Sequence, residues 1–300
     1  MSTTATARVT TFGEPGAAAV NRLQALWLTM KRKPLGAVSA ALLVVLVLTA
    51  VFADVLAPYD PLATQPEIRL AAPSWAHPFG TDDIGRDVLS RIIYGSRISL
   101  WVGLVAVGIG TAAGMIIGLL CGYCEGRLDL VMQRVMDAVQ AIPALMLALA
   151  IISVLKPNTT NAMLAIAIVI IPGNSRIVRG TVLSSKQNRY VEAAQAIGCK
   201  HPRIILSHIL PNVTAPILVI ASIWLGNAIL IEATLSFLGL GTQPPTPSWG
   251  LMLSSTGRAF MEQAPWLAIF PGMAISLAVF AFNLFGDTLR DAWDPKLRNS

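Results

Sequence analysis

Six apolar stretches punctuate this chain, at 35–53, 99–121, 131–155, 161–182, 211–235 and 265–286. Each is close to the ~20 residues that a helix needs to cross a bilayer. In hydrocarbon every backbone N–H and C=O must find a partner inside the protein, and a helix achieves that by itself. Only 13% of the residues are charged, against about a quarter in soluble domains. The expected fold is all-α, a polytopic membrane protein with six transmembrane helices. The first stretch exceeds the ~7–15 apolar residues of a signal peptide and reads as a retained anchor. The fourth is the most irregular. Its apolar run, Ala162 to Ile171, meets Pro172-Gly173-Asn174-Ser175-Arg176, and it is short unless the helix continues through Arg176.

Charge supplies the orientation. With the N-terminus inside and six crossings, sixteen of the 22 basic residues fall on the inner side, as the positive-inside rule requires. The net charge of +6 is then a property of inner loops. No basic cluster interleaved with exposed aromatics points to nucleic acid. Residues 1–34 read as an inner arm, small and polar at first, then an amphipathic helix with Leu23, Leu26, Trp27 and Met30 on one face before Lys31-Arg32-Lys33. Residues 35–98 hold the first span and an outer segment, 99–290 a five-helix core, and 291–300 an inner tail. In the outer segment Thr81 or Asp82 is suited to cap a short helix whose first turn carries acids.

Between the fourth and fifth spans lies a charged island, Tyr190 to Asn212. Glu192-Ala193-Ala194 opens a short helix, and Gly198 ends it, as a residue free to adopt positive φ does. Pro202 suits the first turn of a second helix, and Leu210-Pro211-Asn212 marks a turn toward the next span. The orientation puts this helix–turn–helix elbow, 190–208, on the inner side.

The island resembles the coupling loop of ABC importer permeases, with Glu192-Ala193-Ala194, Gly198 and Leu210-Pro211 at the family's positions and His208 where Ile is frequent. Leu56-Ala-Pro-Tyr-Asp-Pro61, Pro78-Phe-Gly-Thr-Asp-Asp-Ile-Gly-Arg-Asp-Val-Leu-Ser-Arg91 and Leu235-Ser-Phe-Leu-Gly-Leu-Gly-Thr-Gln-Pro-Pro-Thr-Pro-Ser-Trp-Gly250 resemble the second permease subunit of the dipeptide/oligopeptide/nickel importers. The likeness runs from about residue 25 to 295. Departures are Ile171 and Ser175, where the family has Trp and Ala, and Cys121 and Cys124, where small residues are usual. The resemblance implies an ABC importer type I permease in the cytoplasmic (inner) membrane, both termini cytoplasmic. It implies as partners a homologous permease subunit, two cytoplasmic ATPase subunits and an extracytoplasmic substrate-binding protein. Glu192, Ala193, Ala194, Gly198, Leu210 and Pro211 would then couple the chain to the ATPases. Peptides are the expected cargo, with nickel and glutathione as alternatives within the same architecture.

The remaining polar and small residues admit more than one reading. Gly110, Gly114, Gly118 and Gly122 recur every four residues, which suits close helix packing. A phosphate-cradling loop would need a preceding strand and a Lys-Ser/Thr ending. No such loop occurs, so this chain is expected to hold no cofactor, with ATP and Mg2+ bound by partner ATPases. Glu232, inside the fifth span, is a candidate gating or bracing contact or, in an ion-driven secondary transporter, a proton relay. Arg134 and Asp137 are spaced as a local pair, and Pro143 after them suits a kink. Arg176 and Arg179 share a face leading to the elbow, as surface anchors or as braces for it. Trp249 and Trp266 suit interface anchors. Cys121-x-x-Cys124 reads as inert packing. His77, His201 and His208 are scattered, lack paired carboxylates in the sequence, and suggest neither a metal site nor a hydrolytic one.

Overall fold

A computed structural model describes residues 34–254 and 259–293. The inner arm and most of the tail lie outside the described residues. Those described form helices and loops: α1 Pro34–Val51, α2 Ala53–Leu56, α3 Val88–Cys124, α4 Gly126–Gln140, α5 Ala144–Leu155, α6 Thr159–Lys186, α7 Arg189–Ala196, α8 His201–Phe237, α9 Trp249–Leu253 and α10 Trp266–Trp293. Five of these are long and apolar enough to span a membrane, and α4 with α5 forms a sixth candidate span bent by 91°.

The glycine seam settles how many times the chain crosses. A Cβ at Gly110 would fall 2.7 Å from the Ala167 carbonyl, and one at Gly118 2.5 Å from that of Ser175. The contacts advance in step, Gly110 against Ile170, Gly114 against Asn174, Gly118 against Val178 and Gly122 against Val182. Thus α3 and α6 run parallel at backbone contact. Two parallel spans need a return crossing between them, and only α4 and α5 lie there. Helix α8 runs antiparallel to both α3 and α10. Gly103 and Ser99 of α3 meet Ile229 and Glu232 of α8, while Gly226 and Gly286 set α8 against α10. Gly36 of α1 meets Thr288 of α10, so both ends of the described chain lie at the end that carries the elbow.

Several boundaries differ from the sequence expectation, each for a local reason. Helix α3 begins at Val88 rather than 99, so the division expected at 98/99 falls inside a helix. Its cap is Asp87, whose Oδ2 accepts from Ser90 N at 2.8 Å and Ser90 Oγ at 2.7 Å. Thr81 and Asp82 instead close the loop before it. Asp82 Oδ1 accepts from the Ile84 and Arg86 amides, and Thr81 Oγ1 donates to the Ile68 carbonyl. The third span is a sharp break rather than a kink, because a residue before proline is pushed from helical geometry and Pro143 itself is extended, with ψ 133°. Helix α6 continues through Pro172 to Lys186, which gives the fourth span its length. Pro211 turns nothing. The helix passes through it from His201 to Phe237, with a wider π turn over Ile204–Ile209 in which Leu210 N bonds Ile205 O. That turn lies one step before the proline, where a missing N–H and ring clash disturb the regular ladder.

Candidate functional site

The elbow is built by burial on one side and backbone geometry at its corner. In α7, Val191 and Ala194 are buried, three residues apart on one face, and join Leu119, Val178, Ile204 and Ile209 in an apolar cluster under the elbow. Glu192, Ala193 and Gln195 face outward. The two alanines therefore differ in role, since Ala194 lets the short helix sit close and Ala193 belongs to the exposed surface. Gly198 has φ +80°. Its amide bonds Gln195 O at 2.9 Å and that of Cys199 bonds Ala194 O at 3.0 Å, the paired bonds of a Schellman stop. Nothing lies within 4 Å of a Cβ built there, so the position is fixed by conformation and not by space. Ile197 and Leu206 remain 80% and 62% exposed, which leaves an apolar rim on the elbow. Tyr190 Oη accepts from Asn212 Nδ2 at 3.1 Å, tying the elbow to α8 beside Leu210 and Pro211.

The arginines that approach the elbow brace α4, not the elbow. Arg179 Nε and Nη2 donate to Asp129 Oδ1 and Oδ2, both at 2.5 Å. Arg176 Nη2 reaches Asp137 Oδ1 at 2.5 Å, while the expected Arg134–Asp137 pair is only a 3.8 Å contact with Arg134 exposed. Lys186 Nζ reaches Glu125 Oε1 at 2.7 Å. These pairs staple α6 along α4 next to the seam with α3.

At the opposite end, Glu232 is fully buried. Ser236 Oγ donates to its Oε1 at 2.7 Å, with Thr242 Oγ1 and Ser99 Oγ each 3.4 Å from a carboxylate oxygen. Thr242 N also donates to Ser236 Oγ at 3.0 Å. The carboxylate thus joins α3, α8 and the loop that follows α8. Trp249 is no interface anchor. It is buried, and its indole N–H donates to Ile92 O at 3.0 Å. The Trp266 indole donates to Thr81 O at 3.1 Å. Outside the bundle, Arg97 and then Tyr94 donate to Asp54 and hold its carboxyl below the usual carboxylate range. A groove of about 620 Å3 lies between the 57–62 loop, Tyr94 and Pro245–Pro247.

One histidine does have a carboxylate partner. His77 Nδ1 lies 2.9 Å from Asp87 Oδ1. The Ser90 hydroxyl also turns to Asp87 and not to the imidazole, so the three form a helix cap without the serine–histidine contact of a nucleophile. Asp129 and Ser99 left no signal in the sequence because their partners lie 50 and 133 positions away. Ser236 and Thr242, by contrast, stand only four and ten residues from Glu232, and the i, i+4 spacing of Ser236 on the helix was the available signal.

A multi-pass helical membrane protein, with a glycine-seamed parallel helix pair and an extramembrane elbow, has the architecture of an importer permease. Comparison with known proteins agrees. Residues 114–299 match the family described as the inner membrane component of binding-protein-dependent transport systems, and residues 21–73 match the N-terminal TM domain of oligopeptide transport permease C. The chain is 45% identical to the dipeptide transport system permease protein DppC of Alkalihalophilus pseudofirmus, over 90% of this chain and 88% of that protein. It is 44% identical to the glutathione transport system permease protein GsiD of Escherichia coli O6:K15:H31, over 91% and 90% of the two. The fold matches a chain of the inward-facing MetNI methionine ABC transporter with a TM-score of 0.57, at 16% identity, over 69% of this chain and 98% of that one. The chain belongs to the family of inner membrane components of binding-protein-dependent transport systems, and so to a transporter of several subunits.

Proposed function

We propose that this chain is the permease subunit of an ATP-driven importer of di- and oligopeptides across the cytoplasmic membrane. The observation that carries the reading is the elbow, with its rigid corner at Gly198 and its exposed face of Glu192, Ala193 and Ile197. Such a face suits one of two cytoplasmic ATPase subunits, which would hold ATP and Mg2+, leaving this chain a conduit with no catalytic role. Their closure would push the elbow, and a lever packed on α3 and α6 would pass the motion to the spans. Exposed apolar side chains on α4 and α5, among them Leu130, Val131 and Met146, favour a homologous permease as a second wall of the pore. The groove beside Tyr94 favours an extracytoplasmic binding protein on the far face. Both termini would then be cytoplasmic. The name of the Alkalihalophilus relative favours dipeptides, and that of the Escherichia coli relative makes glutathione the second reading.

Proteoliposomes holding the full complex test the energy source. Dipeptide accumulation is expected with ATP and without any ion gradient. Accumulation driven by a proton gradient with ATP absent would replace this reading with the secondary transporter.

A further inference from the structure

The chain itself joins the elbow to α6 and to α8, which begins at His201, whereas α3 feels the elbow's motion only through contacts. The apolar cluster beneath α7 supplies adhesion, which is non-directional and permits sliding. A directed tie is also present. Tyr123, near the end of α3, places its Oη 2.6 Å from Nδ1 of His201, the first residue of the elbow's second arm, with the two rings edge to face at 5.6 Å. Among the described residues this is the one side-chain hydrogen bond that runs from the elbow to α3. The tyrosine is itself held. Lys186 Nζ donates to the Tyr123 carbonyl at 2.9 Å and to Glu125 Oε1 at 2.7 Å, and its ammonium lies 5.4 Å from the centre of the Tyr123 ring. Lys186 ends α6, so the contact gathers α3, α6 and the elbow at one point. It stands one residue past Gly122, the last glycine of the seam. A pull on His201 therefore acts on two helices already locked together by backbone contact.

We infer that Tyr123 and His201 form a latch that transmits elbow motion to the α3–α6 pair, a positioning role that rests on the elbow being the ATPase-coupling surface. Tyr123→Phe keeps the ring and its packing and removes only the hydrogen bond. His201→Ala removes the same bond from the other side. His201→Asn retains a polar atom close to the position of Nδ1 and should preserve it.

The test uses the assembled importer in proteoliposomes, with dipeptide moved per ATP hydrolysed as the readout, normalised to assembled complex. Tyr123→Phe and His201→Ala are each expected to lower that ratio about fivefold, the effect of one hydrogen bond of ordinary net strength. The double variant is expected to be no worse than either single one, and His201→Asn to stay close to the parent. Losses that multiply in the double variant would overturn the latch, because residues acting through one bond do not add. So would a parental ratio in Tyr123→Phe when Gly198→Val, tested beside it, uncouples the complex. If Gly198→Val leaves the ratio unchanged too, the shape of the elbow is not what couples transport to ATP, and the latch falls with it. Should Tyr123→Phe fail to assemble, the contrast between His201→Asn and His201→Ala carries the test, equal ratios contradicting the latch.

Discussion

Arg179 grips Asp129 through two N–H···O bonds of 2.5 Å each, joining helices fifty positions apart in the chain. Both groups are partly screened from water, with side chains 32% and 12% exposed. Paired charge-assisted bonds of this geometry exceed an ordinary surface ion pair. Arg179→Lys keeps the charge and loses the fork. It is expected to lower the stability of the assembled protein by about 1–2 kcal/mol, and Asp129→Ala by about 2–3 kcal/mol. Thermal unfolding in detergent reads both. Equal melting temperatures for parent and Asp129→Ala would show that α4 needs no such staple.

The glycine seam separates positions that look alike in sequence. Gly118→Ala drives a methyl to 2.5 Å from a backbone carbonyl, which the helices relieve only by parting. Gly108 has nothing within 4 Å of the corresponding position. Gly118→Ala is expected to cost about 1–3 kcal/mol and Gly108→Ala less than ~0.5 kcal/mol, as measured by unfolding in detergent. A neutral Gly118→Ala would contradict the parallel contact of α3 and α6.

Glu232 distinguishes a brace from a proton carrier. Glu232→Gln keeps a polar head against Ser236, Thr242 and Ser99 and cannot exchange a proton at transport rates. It is expected to retain most transport. Glu232→Ala leaves those hydroxyls facing a cavity and is expected to lower stability by about 2–3 kcal/mol. Abolished transport in a well-assembled Glu232→Gln protein would restore the proton relay.

What the sequence made legible was local. Apolar length marked the spans, the four-residue glycine period marked the seam, and Gly198 announced its own positive φ. Relations between distant residues left no comparable trace. Arg179 could be seen facing the elbow, but its partner, Asp129, is met only through the packing of α4 on α6. Trp249 shows a second kind of miss. An indole has an apolar body and one N–H, so it suits the membrane interface and equally a core site with a carbonyl in reach, and Ile92 O decides the matter. Prolines were legible in position and not in effect. Pro143 accompanies a 91° break, while Pro172 sits inside a continuous helix, because the surrounding contacts determine whether the disturbance is absorbed.

Gly198 offers a graded test of the elbow's shape. Since its surroundings are open, Gly198→Asn, a residue that visits positive φ, is expected to couple almost normally. Gly198→Val should distort the corner at a cost of roughly 1–2 kcal/mol and lower transport per ATP several-fold while the complex still assembles. Identical behaviour of Asn and Val would show that the corner's backbone conformation is not what coupling requires.

Uptake of a labelled dipeptide by cells lacking this chain, with and without its return on a plasmid, tests the central reading most directly, with labelled glutathione and Ni2+ run in parallel. Dipeptide uptake is expected to depend on the chain and to disappear on ATP depletion. Dipeptide uptake that is the same with and without the chain, in cells shown to assemble the transporter, would contradict the assignment of peptides as its cargo.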